Sequence, residues 1–580
     1  MKLLDYESGK SSLLLLTDAG RIKLEPINPQ IVRVVFTPHE TFCTTPSLMM
    51  LPRGDVEVPL WNIDEDAQTL RMKTAGLQVV IQKATCAFTW LDDAGQLLVR
   101  EPERGGKTVE TKGDYSARLD LIFSPGEAIY GLGQHEEGIL NYRGQHQYLY
   151  QHNLKVAIPQ IVSTRGYAIL WDTASLSVFH DDIYGSYFWS ECRKELDFYF
   201  IYGPEFDQIV AGFRMLTGQV PLLPRWAYGY IQSKERYLDQ AELIAVVEEY
   251  RARGLPLDAI VQDWQSWPGD WWGQKTLDPE RFPDPAGLVE KLHALNARLM
   301  ISVWPRFQND GPNQIEMRER GFLLGDGMTY NAFDPAARAL YWQQANEGLF
   351  KYGVDAWWCD ATEPFEPDWS GTVKPKPWER LMLNTNYAKT YLDPTVINAY
   401  SLPHAQGIYE GQRSVTTKKR VVNLTRSYFP GQQRYGTITW SGDICATWDV
   451  LAQQIAEGLN FSVTGAGNWS VDIGAFFAAP RDPWFWRGEY PDGYLDAGYQ
   501  ELYVRWFQVG AFLPNFRSHG TDTPREIWRF GNPGEPMYET LVKFLRLRYR
   551  LMPYIYSLAG LTTHRDYTML RILPFDFRTD

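Results

Sequence analysis

The first 223 residues alternate apolar and polar positions in the manner of β-strands. Runs at 31–36, 77–81 and 196–201 are rich in branched and aromatic side chains, and clusters of Asp, Gly, Pro and Asn separate such runs. No long helical pattern interrupts them. A series of short strands without helices packs most simply as stacked sheets, so the pattern predicts an N-terminal β-sandwich over residues 1–223.

Further along the chain, helical spacing alternates with short apolar runs. Asp239 and Glu242 have the spacing of a capping box, and Gly254 would end the helix that they introduce. The apolar runs predict eight strands, at 226–231, 257–261, 299–304, 354–358, 420–424, 436–440, 459–464 and 511–515. Eight strands separated by helices predict a (β/α)8 TIM barrel over residues 224–565, with an insertion at about 366–419.

Charge and composition exclude several classes of function. The formal charge of −13 argues against a nucleic-acid partner and against an anionic membrane surface. The five cysteines show no C-x-x-C spacing, which argues against a disulfide framework and against a zinc site. Neither a signal peptide nor a membrane-spanning run is visible, so a cytoplasmic protein is expected. The oligomeric state stays open, a homo-oligomer included.

Aromatic and acidic residues point to carbohydrate chemistry. Aromatic residues make up 14% of the chain, and the flat face and polar edge of Trp and Tyr suit a sugar ring, although large cores also use them. Carboxylates follow several predicted barrel strands, where barrel enzymes carry their chemistry: Asp263, Asp360, Glu363 and Asp443. Each alone could equally be a helix cap or an ion pair. Together they suit glycoside hydrolysis, which needs a pair of carboxylates and neither metal nor cofactor.

Two of these carboxylates lie in motifs that resemble glycoside hydrolase family 31. Residues 355–364 (DAWWCDATEP) are similar to its nucleophile motif, and Arg426 with residues 435–443 (YGTITWSGD) is similar to its acid/base motif. The resemblance spans nearly the whole chain. It implies a retaining α-glycosidase that acts at non-reducing ends, with Asp360 as nucleophile and Asp443 as acid/base. Arg426 would orient carboxylates through paired hydrogen bonds, with a structural ion pair as the alternative.

The same resemblance implies a pocket for the sugar. Asp263 and Trp264 follow the second strand, and His519 lies in an eighth-strand motif whose histidine binds the sugar. The resemblance also implies that the sandwich loop at 131–138 reaches toward the site. Further candidates for the pocket are Trp304 and Trp440, each with a core role as the alternative, and Glu363, for which the alternative is a helix cap or an ion pair.

Within the family, residues 261–264 and 301–305 are most similar to α-xylosidases. The expected substrate is a glycoside or oligosaccharide. Other activities left open are α-glucosidase, α-galactosidase, α-N-acetylgalactosaminidase and transglycosylase, and a non-catalytic carbohydrate-binding protein is the alternative from a different class. Family members usually continue into further β domains. Residues 566–580 resemble the start of the first, so a truncated C-terminal β domain is expected.

Overall fold

The computed structural model of the chain describes residues 1–52, 58–111, 115–363 and 367–577. Three parts of the predictions lie outside the described residues. They are Pro364 of the nucleophile motif, Glu366 at the start of the predicted insertion, and residues 578–580 of the predicted C-terminal segment.

Antiparallel strands build the N-terminal part of the chain, as the alternating pattern predicts. An eight-stranded sheet has the order β1-β2-β3-β4-β18-β15-β14-β12, and two five-stranded sheets have the orders β10-β11-β17-β16-β13 and β5-β6-β7-β8-β9. Buried side chains of these sheets share one core, in which Trp90 stacks on Phe200 with ring centroids 4.0 Å apart. The β-sandwich is therefore confirmed. Its described strands are β1 (Leu3–Ser8), β2 (Leu13–Thr17), β3 (Gly20–Asn28), β4 (Ile31–Thr37), β5 (Trp61–Glu65), β6 (Thr69–Thr74), β7 (Leu77–Gln82), β8 (Phe88–Asp92), β9 (Leu97–Arg100), β10 (Lys107–Glu110), β11 (Ser116–Leu121), β12 (Ile129–His135), β13 (His146–Leu149), β14 (Lys155–Ser163), β15 (Tyr167–Trp171), β16 (Ser177–Asp182), β17 (Gly185–Glu191) and β18 (Leu196–Tyr202).

A helix, α1 (Phe206–Thr217), interrupts the segment that the sequence predicts to be all β. Its apolar residues face the large sheet and the barrel, and Arg214 on this helix is fully buried. The guanidinium of Arg214 donates hydrogen bonds to the carbonyl oxygens of Gly465, at 3.0 Å, and Thr562, at 3.1 Å. The helix therefore fastens the sandwich to the barrel.

Eight parallel strands form the second part, in the order β25-β24-β23-β22-β21-β20-β19-β26. A parallel bridge between Ile473 and Ser518 joins the two ends of this sheet, so the ring closes as a (β/α)8 barrel and confirms the predicted fold. The strands are β19 (Tyr230–Gln232), β20 (Ala259–Gln262), β21 (Arg298–Val303), β22 (Ala356–Cys359), β23 (Asn423–Thr425), β24 (Thr437–Trp440), β25 (Asn468–Ser470) and β26 (Phe516–Ser518). The helices of this part are α2 (Gln240–Ala252), α3 (Pro285–Ala294), α4 (Pro312–Glu319), α5 (Pro335–Gly348), α6 (Pro377–Ala388), α7 (Ser401–Val415), α8 (Trp448–Val463), α9 (Ala497–Gly510) and α10 (Pro536–Arg565).

The last two predicted strands are wrong. Residues 459–464, predicted as the seventh strand, are the end of helix α8, and the seventh strand is β25. Residues 511–515, predicted as the eighth strand, form the turn after α9, and the eighth strand is β26. Most residues of both segments are buried, although the side chain of Phe512 is 61% exposed.

The predicted insertion at 366–419 holds two helices with different surroundings. Helix α7 packs on α5 so closely that a Cβ at Gly411 would overlap the ring of Trp342, and it connects the fourth strand to the fifth as a barrel helix does. Helix α6 instead contacts the sandwich, because its Arg380 pairs with Glu136; the same side chain pairs with Asp368 of the insertion at 2.6 Å. Glu136 directly follows β12, and residues 131–135 of the segment predicted as a loop at 131–138 belong to that strand. The part around α6 is therefore the addition to the barrel.

The described C-terminal residues, 566–577, contain one short 3₁₀ turn (Leu573–Phe575) and no strand. They pack against α1, where Arg571 pairs with Asp207 and the ring of Phe575 lies 5.3 Å from that of Phe206. Across the described chain, every helix is too short or too polar to span a bilayer.

His404 on α7 makes the stability of the fold depend on pH. Its side chain is fully buried, and its Nδ1 lies 2.8 Å from the Tyr330 hydroxyl. Burial, together with the nearby charge of Lys275, lowers the pKa of His404 from 6.5 to about 3. Below pH 6.5 the unfolded chain therefore binds a proton that the folded chain does not, so stability falls as the pH falls through this window.

At pH 5 the contribution of His404 to this loss is about 2 kcal/mol. We expect His404→Gln to reduce the difference between the free energies of unfolding at pH 7 and pH 5 by that amount, measured by chemical denaturation. His146→Gln, at an exposed position, is the matched control. An unchanged pH dependence in the His404 variant would contradict the assignment.

Candidate active site

The residues predicted to form the site follow the barrel strands at their C-terminal ends. Asp263, Trp304, Asp360, Arg426 and His519 directly follow β20, β21, β22, β23 and β26, and Asp443 lies three positions beyond β24. Because the strands are parallel, these ends share one rim of the barrel. The structure thus brings together side chains that are up to 256 positions apart, from Asp263 to His519.

Arg426 joins three of the carboxylates. Its Nη1 lies 3.1 Å from Oδ1 of Asp360 and 2.8 Å from Oδ2 of Asp443, and its Nε donates to Oε1 of Glu363 at 2.8 Å. All four side chains are largely buried. Charge-assisted bonds of this kind fix geometry as well as charge. The role of Arg426 in orienting carboxylates stays a prediction, and Glu363 is one of the partners that hold its guanidinium.

The backbone after β22 also contacts Asp360. The N–H of Ala361 donates to Oδ1 of Asp360 at 2.8 Å, and Ala361 itself has a φ of +50°. A residue with a Cβ pays strain for this left-handed conformation, and such strain is concentrated at functional sites. The side chain of Ala361 packs against Trp267 and Trp304. The turn therefore aims an N–H at the carboxylate and brings tryptophans beside it.

Asn153 is a site residue that the sequence analysis missed. It lies between β13 and β14 of the sandwich, and its Nδ2 donates to Oδ2 of Asp443 at 2.7 Å. In return its Oδ1 accepts from the backbone N–H of Asp443 at 2.7 Å. The sandwich thus holds Asp443 by both its side chain and its backbone. A lone Asn in a β-rich segment carries no motif, and only the fold brings it to a residue 290 positions away.

Gly442 permits this contact. Its φ is +82°, and a Cβ at this position would overlap the carbonyl oxygen of Asn153. A larger residue would therefore be strained and would push the sandwich loop away from the rim. The glycine before Asp443 is required by the close approach of two backbones.

We expect Asn153→Ala to lower kcat/KM by about 10–100-fold, because it removes hydrogen bonds to a charged group worth about 1.5–3 kcal/mol. The loss should fall mainly on kcat, since Asn153 contacts Asp443 rather than the sugar-binding residues. Rates on an aryl glycoside measure it, with Asn62→Ala, at an exposed position on β5, as control. A rise in KM alone would assign Asn153 to substrate binding instead.

Asp263 and His519 form a second group on the rim. Nε2 of His519 lies 3.6 Å from Oδ2 of Asp263, and its Nδ1 lies 2.7 Å from Oγ of Ser233. Burial, with the charges of Arg517 and Arg525, lowers the pKa of His519 well below 6.5, so its ring is neutral near pH 7. Burial and the charge of Asp360 raise the pKa of Asp263 well above its usual value. Oδ1 of Asp263 is buried without a hydrogen-bond partner among the described residues.

A cluster of tryptophans flanks Asp360. Trp264, Trp267, Trp272 and Trp304 pack together with Ala361, and the rings of Trp264 and Trp272 have centroids 4.9 Å apart. Nε1 of Trp304 donates to Oγ of Ser302 at 3.0 Å, which fixes its orientation. Two of the predicted sugar-binding residues, Trp264 and Trp304, thus share one aromatic wall.

Trp440 lies in a different environment, inside the barrel. It is 1% exposed and packs on Trp358, with the guanidinium of Arg517 5.6 Å from its ring. Arg517 pairs with Asp472, whose pKa burial raises to about 6 despite that partner. Trp440 and the Arg517–Asp472 pair therefore support the rim from the interior of the barrel.

Two family models match the chain. The glycosyl hydrolases family 31 TIM-barrel domain matches residues 220–558, and the glycosyl hydrolase 31 N-terminal galactose mutarotase-like domain matches residues 21–179. Together these matches cover both the sandwich and the barrel.

Relatives in sequence and in structure cover nearly the whole chain. It is 38% identical over 568 residues to an α-xylosidase of Saccharolobus solfataricus, covering 96% of this chain and 74% of the relative. The GH31 α-xylosidase of Xanthomonas citri superposes with a TM-score of 0.89 and 29% identity, covering 99% of this chain and 80% of that one. A GH31 α-xylosidase from a soil metagenome, solved with xylose, has a TM-score of 0.87 and 26% identity, covering 100% of this chain and 88% of that one.

Proposed function

Because the chain belongs to glycoside hydrolase family 31, we propose that it is a retaining, exo-acting α-glycosidase whose preferred substrate is an α-xyloside. Asp360 is the nucleophile and Asp443 the acid/base catalyst. The relatives described above are α-xylosidases, which supports xylose as the sugar that is released. The substrate is the non-reducing terminal unit of a glycoside or oligosaccharide.

The bridge made by Arg426 carries this proposal. Because Oδ1 of Asp360 and Oδ2 of Asp443 both contact Nη1, at 3.1 Å and 2.8 Å, these two oxygens lie within about 6 Å of each other. Retaining enzymes hold their carboxyl groups roughly 5–5.5 Å apart, whereas inverting enzymes need roughly 6.5–9.5 Å to admit a water between them. The spacing favours a covalent intermediate on Asp360.

In the first step, a carboxylate oxygen of Asp360 attacks the anomeric carbon of the sugar. The bond between that carbon and the glycosidic oxygen breaks, and the oxygen takes a proton from Asp443 as it leaves. Arg426 stabilises the carboxylate that Asp443 becomes, because it already donates to that side chain. The products of this step are the free aglycone and a glycosyl ester of Asp360.

In the second step, the carboxylate of Asp443 accepts a proton from a water that attacks the anomeric carbon. The ester bond to Asp360 breaks, and its electron pair returns to the Asp360 carboxylate. Each step inverts the anomeric carbon, so the released sugar keeps the α configuration.

Asp263, His519 and the tryptophan wall hold the sugar in this scheme. Oδ1 of Asp263, which has no hydrogen-bond partner in the described part of the chain, accepts a sugar hydroxyl, because a buried acceptor without a partner is costly. Neutral His519 can donate one hydrogen bond from its ring to a second hydroxyl. The faces of Trp264 and Trp304 pack on the apolar side of the ring.

The test is a comparison of kcat/KM for p-nitrophenyl α-xyloside, α-glucoside, α-galactoside and α-N-acetylgalactosaminide. We expect the xyloside to be preferred by about 10-fold or more, since one extra group in a sugar pocket changes the barrier by about 1–3 kcal/mol. Proton NMR should show α-xylose as the first product. A preferred glucoside would make the chain an α-glucosidase, and sugar binding without turnover would make it a carbohydrate-binding protein.

A further inference from the structure

The turn that carries Asn153 is closed by the residue before it. The backbone N–H of His152 donates to the carbonyl oxygen of Lys155 at 3.2 Å, and the N–H of Lys155 donates in return to the carbonyl oxygen of His152 at 3.0 Å. Within this turn, the backbone N–H of Leu154 donates to Nδ1 of His152 at 3.2 Å. The fully buried side chain of His152 therefore bridges the backbone on both sides of Asn153.

Both ring nitrogens of His152 have an assigned role. A backbone N–H can only donate, so Nδ1 must accept from Leu154 and carries no proton. The single ring proton is then on Nε2, which lies 3.1 Å from Oδ1 of Asp368 and donates to it. The bond to Asp368 thus selects the tautomer of His152 that can hold Leu154.

Asp368 comes from the segment that is added to the barrel after β22. Its side chain is fully buried, and its Oδ2 accepts from Nε of Arg380 on α6 at 2.6 Å. Its carbonyl oxygen accepts from Nε1 of Trp484 at 2.7 Å. Burial would raise the pKa of Asp368, but the hydrogen bond from His152 and the charge of Arg380 outweigh burial and lower the pKa to about 2. The added segment therefore offers His152 a fixed carboxylate that is ionised near pH 7.

We propose that His152 is a positioning residue for the proton donor, and that Asp368 fixes its ring. His152 acts through Asn153, whose side-chain nitrogen and oxygen each bond to Asp443 at 2.7 Å. A turn that is held in one conformation keeps these two bonds aligned. The proposal rests on the proposed function, in which Asp443 is the acid/base catalyst. It gives the added segment a role, because this segment follows the strand of the nucleophile and holds the partner of the proton donor.

The experiment measures kcat and KM of His152→Phe on p-nitrophenyl α-xyloside. Phenylalanine keeps an aromatic ring beside Trp369, whose ring centroid is 5.7 Å from that of His152, but it has neither the acceptor nor the donor. We expect kcat to fall about fivefold with KM unchanged, which is the net effect of about one hydrogen bond. Asp368→Asn has one side-chain oxygen for two donors, so it should give a smaller loss of kcat.

A double-mutant cycle tests the route of the effect. His152→Phe combined with Asn153→Ala should lose no more than Asn153→Ala alone, because His152 acts through Asn153. His293→Phe is the matched control, since Nε2 of His293 lies 2.7 Å from Oδ2 of Asp355, which precedes β22 at the end opposite to the rim. Its kcat should stay within a factor of about two. Unchanged kcat in His152→Phe and Asp368→Asn, losses that multiply in the double variant, or a rise in KM alone would overturn the proposal.

Crystal structures give a readout that needs no turnover. In His152→Phe, the side chain of Asn153 should move away from Asp443, and an Asn153 that keeps both bonds would overturn the proposal. A wild type that hydrolyses no glycoside would end the proposed function, whereas a displaced Asn153 in the variant would leave the role of His152 in the turn standing. Thermal unfolding of His152→Phe and Asp368→Asn checks that a lower rate does not reflect a lost fold.

Discussion

Replacing Asp360 by alanine is expected to lower turnover of p-nitrophenyl α-xyloside by at least about 10⁴-fold. Without this carboxylate no glycosyl ester can form, and the site keeps only its binding groups. In the wild type, an activated fluoro-xyloside should add the mass of one sugar to the peptide that contains Asp360, because the fluorine slows the second step. The variant should show no label on this peptide.

Asp270→Ala is the matched control for this result. Asp270 is an exposed carboxylate in the loop after the second strand, so its loss should leave the rate within a factor of about two. Thermal unfolding of the Asp360 variant checks that the fold survives the loss of one Arg426 partner. Label on another residue, or substantial turnover by the variant, would remove Asp360 from the role of nucleophile.

Replacing Asp443 by alanine should produce a loss that depends on the leaving group. For a disaccharide, whose leaving oxygen needs a proton, we expect kcat/KM to fall by about 10²–10⁴-fold. For a dinitrophenyl xyloside the leaving group needs no proton, so the first step stays fast and the glycosyl ester accumulates. Stopped-flow measurements should then show a burst of dinitrophenolate followed by slow steady turnover.

Azide gives the decisive readout for Asp443. It attacks the anomeric carbon without giving up a proton, so it should restore the second step in the variant and yield α-xylosyl azide. Asp449→Ala, an exposed carboxylate in the first turn of α8, should show neither the burst nor the rescue. Losses of equal size on both substrates would indicate that Asp443 has a structural role.

The position of the site on the rim of the barrel could be predicted from the sequence, because it follows from the order of the strands along the chain. Each parallel strand ends at the same edge, so a carboxylate directly after a strand is placed by the strand alone. Asp263 and Asp360 illustrate this, since each is the first residue beyond its strand. The sequence could not show which neighbours would share Arg426, because that depends on side chains from three strands.

The positions of the seventh and eighth strands could not be predicted from the sequence, for a different reason. The end of α8 is buried on more than one side, since it lies between the barrel and the sandwich, where Asn460 binds the backbone of residues 131 and 139. A helix buried all round loses the periodicity that identifies it. The turn at 511–515 is held by Arg548 of α10, which donates to three of its carbonyl groups. Because Arg548 is far from this turn along the chain, their contact leaves no pattern in the local sequence.

The contact between Asn153 and Asp443 limits how the sandwich and the barrel can be exchanged between relatives. A chimaera that grafts the barrel of one relative onto the sandwich of another would inherit both carboxylates, yet its proton donor would face a foreign loop. Exchanging residues 150–155 together with the barrel, and keeping Gly442, would carry the matched pair across the graft. The part of the chain that must be transferred to keep catalysis is thus larger than the barrel that carries the two carboxylates.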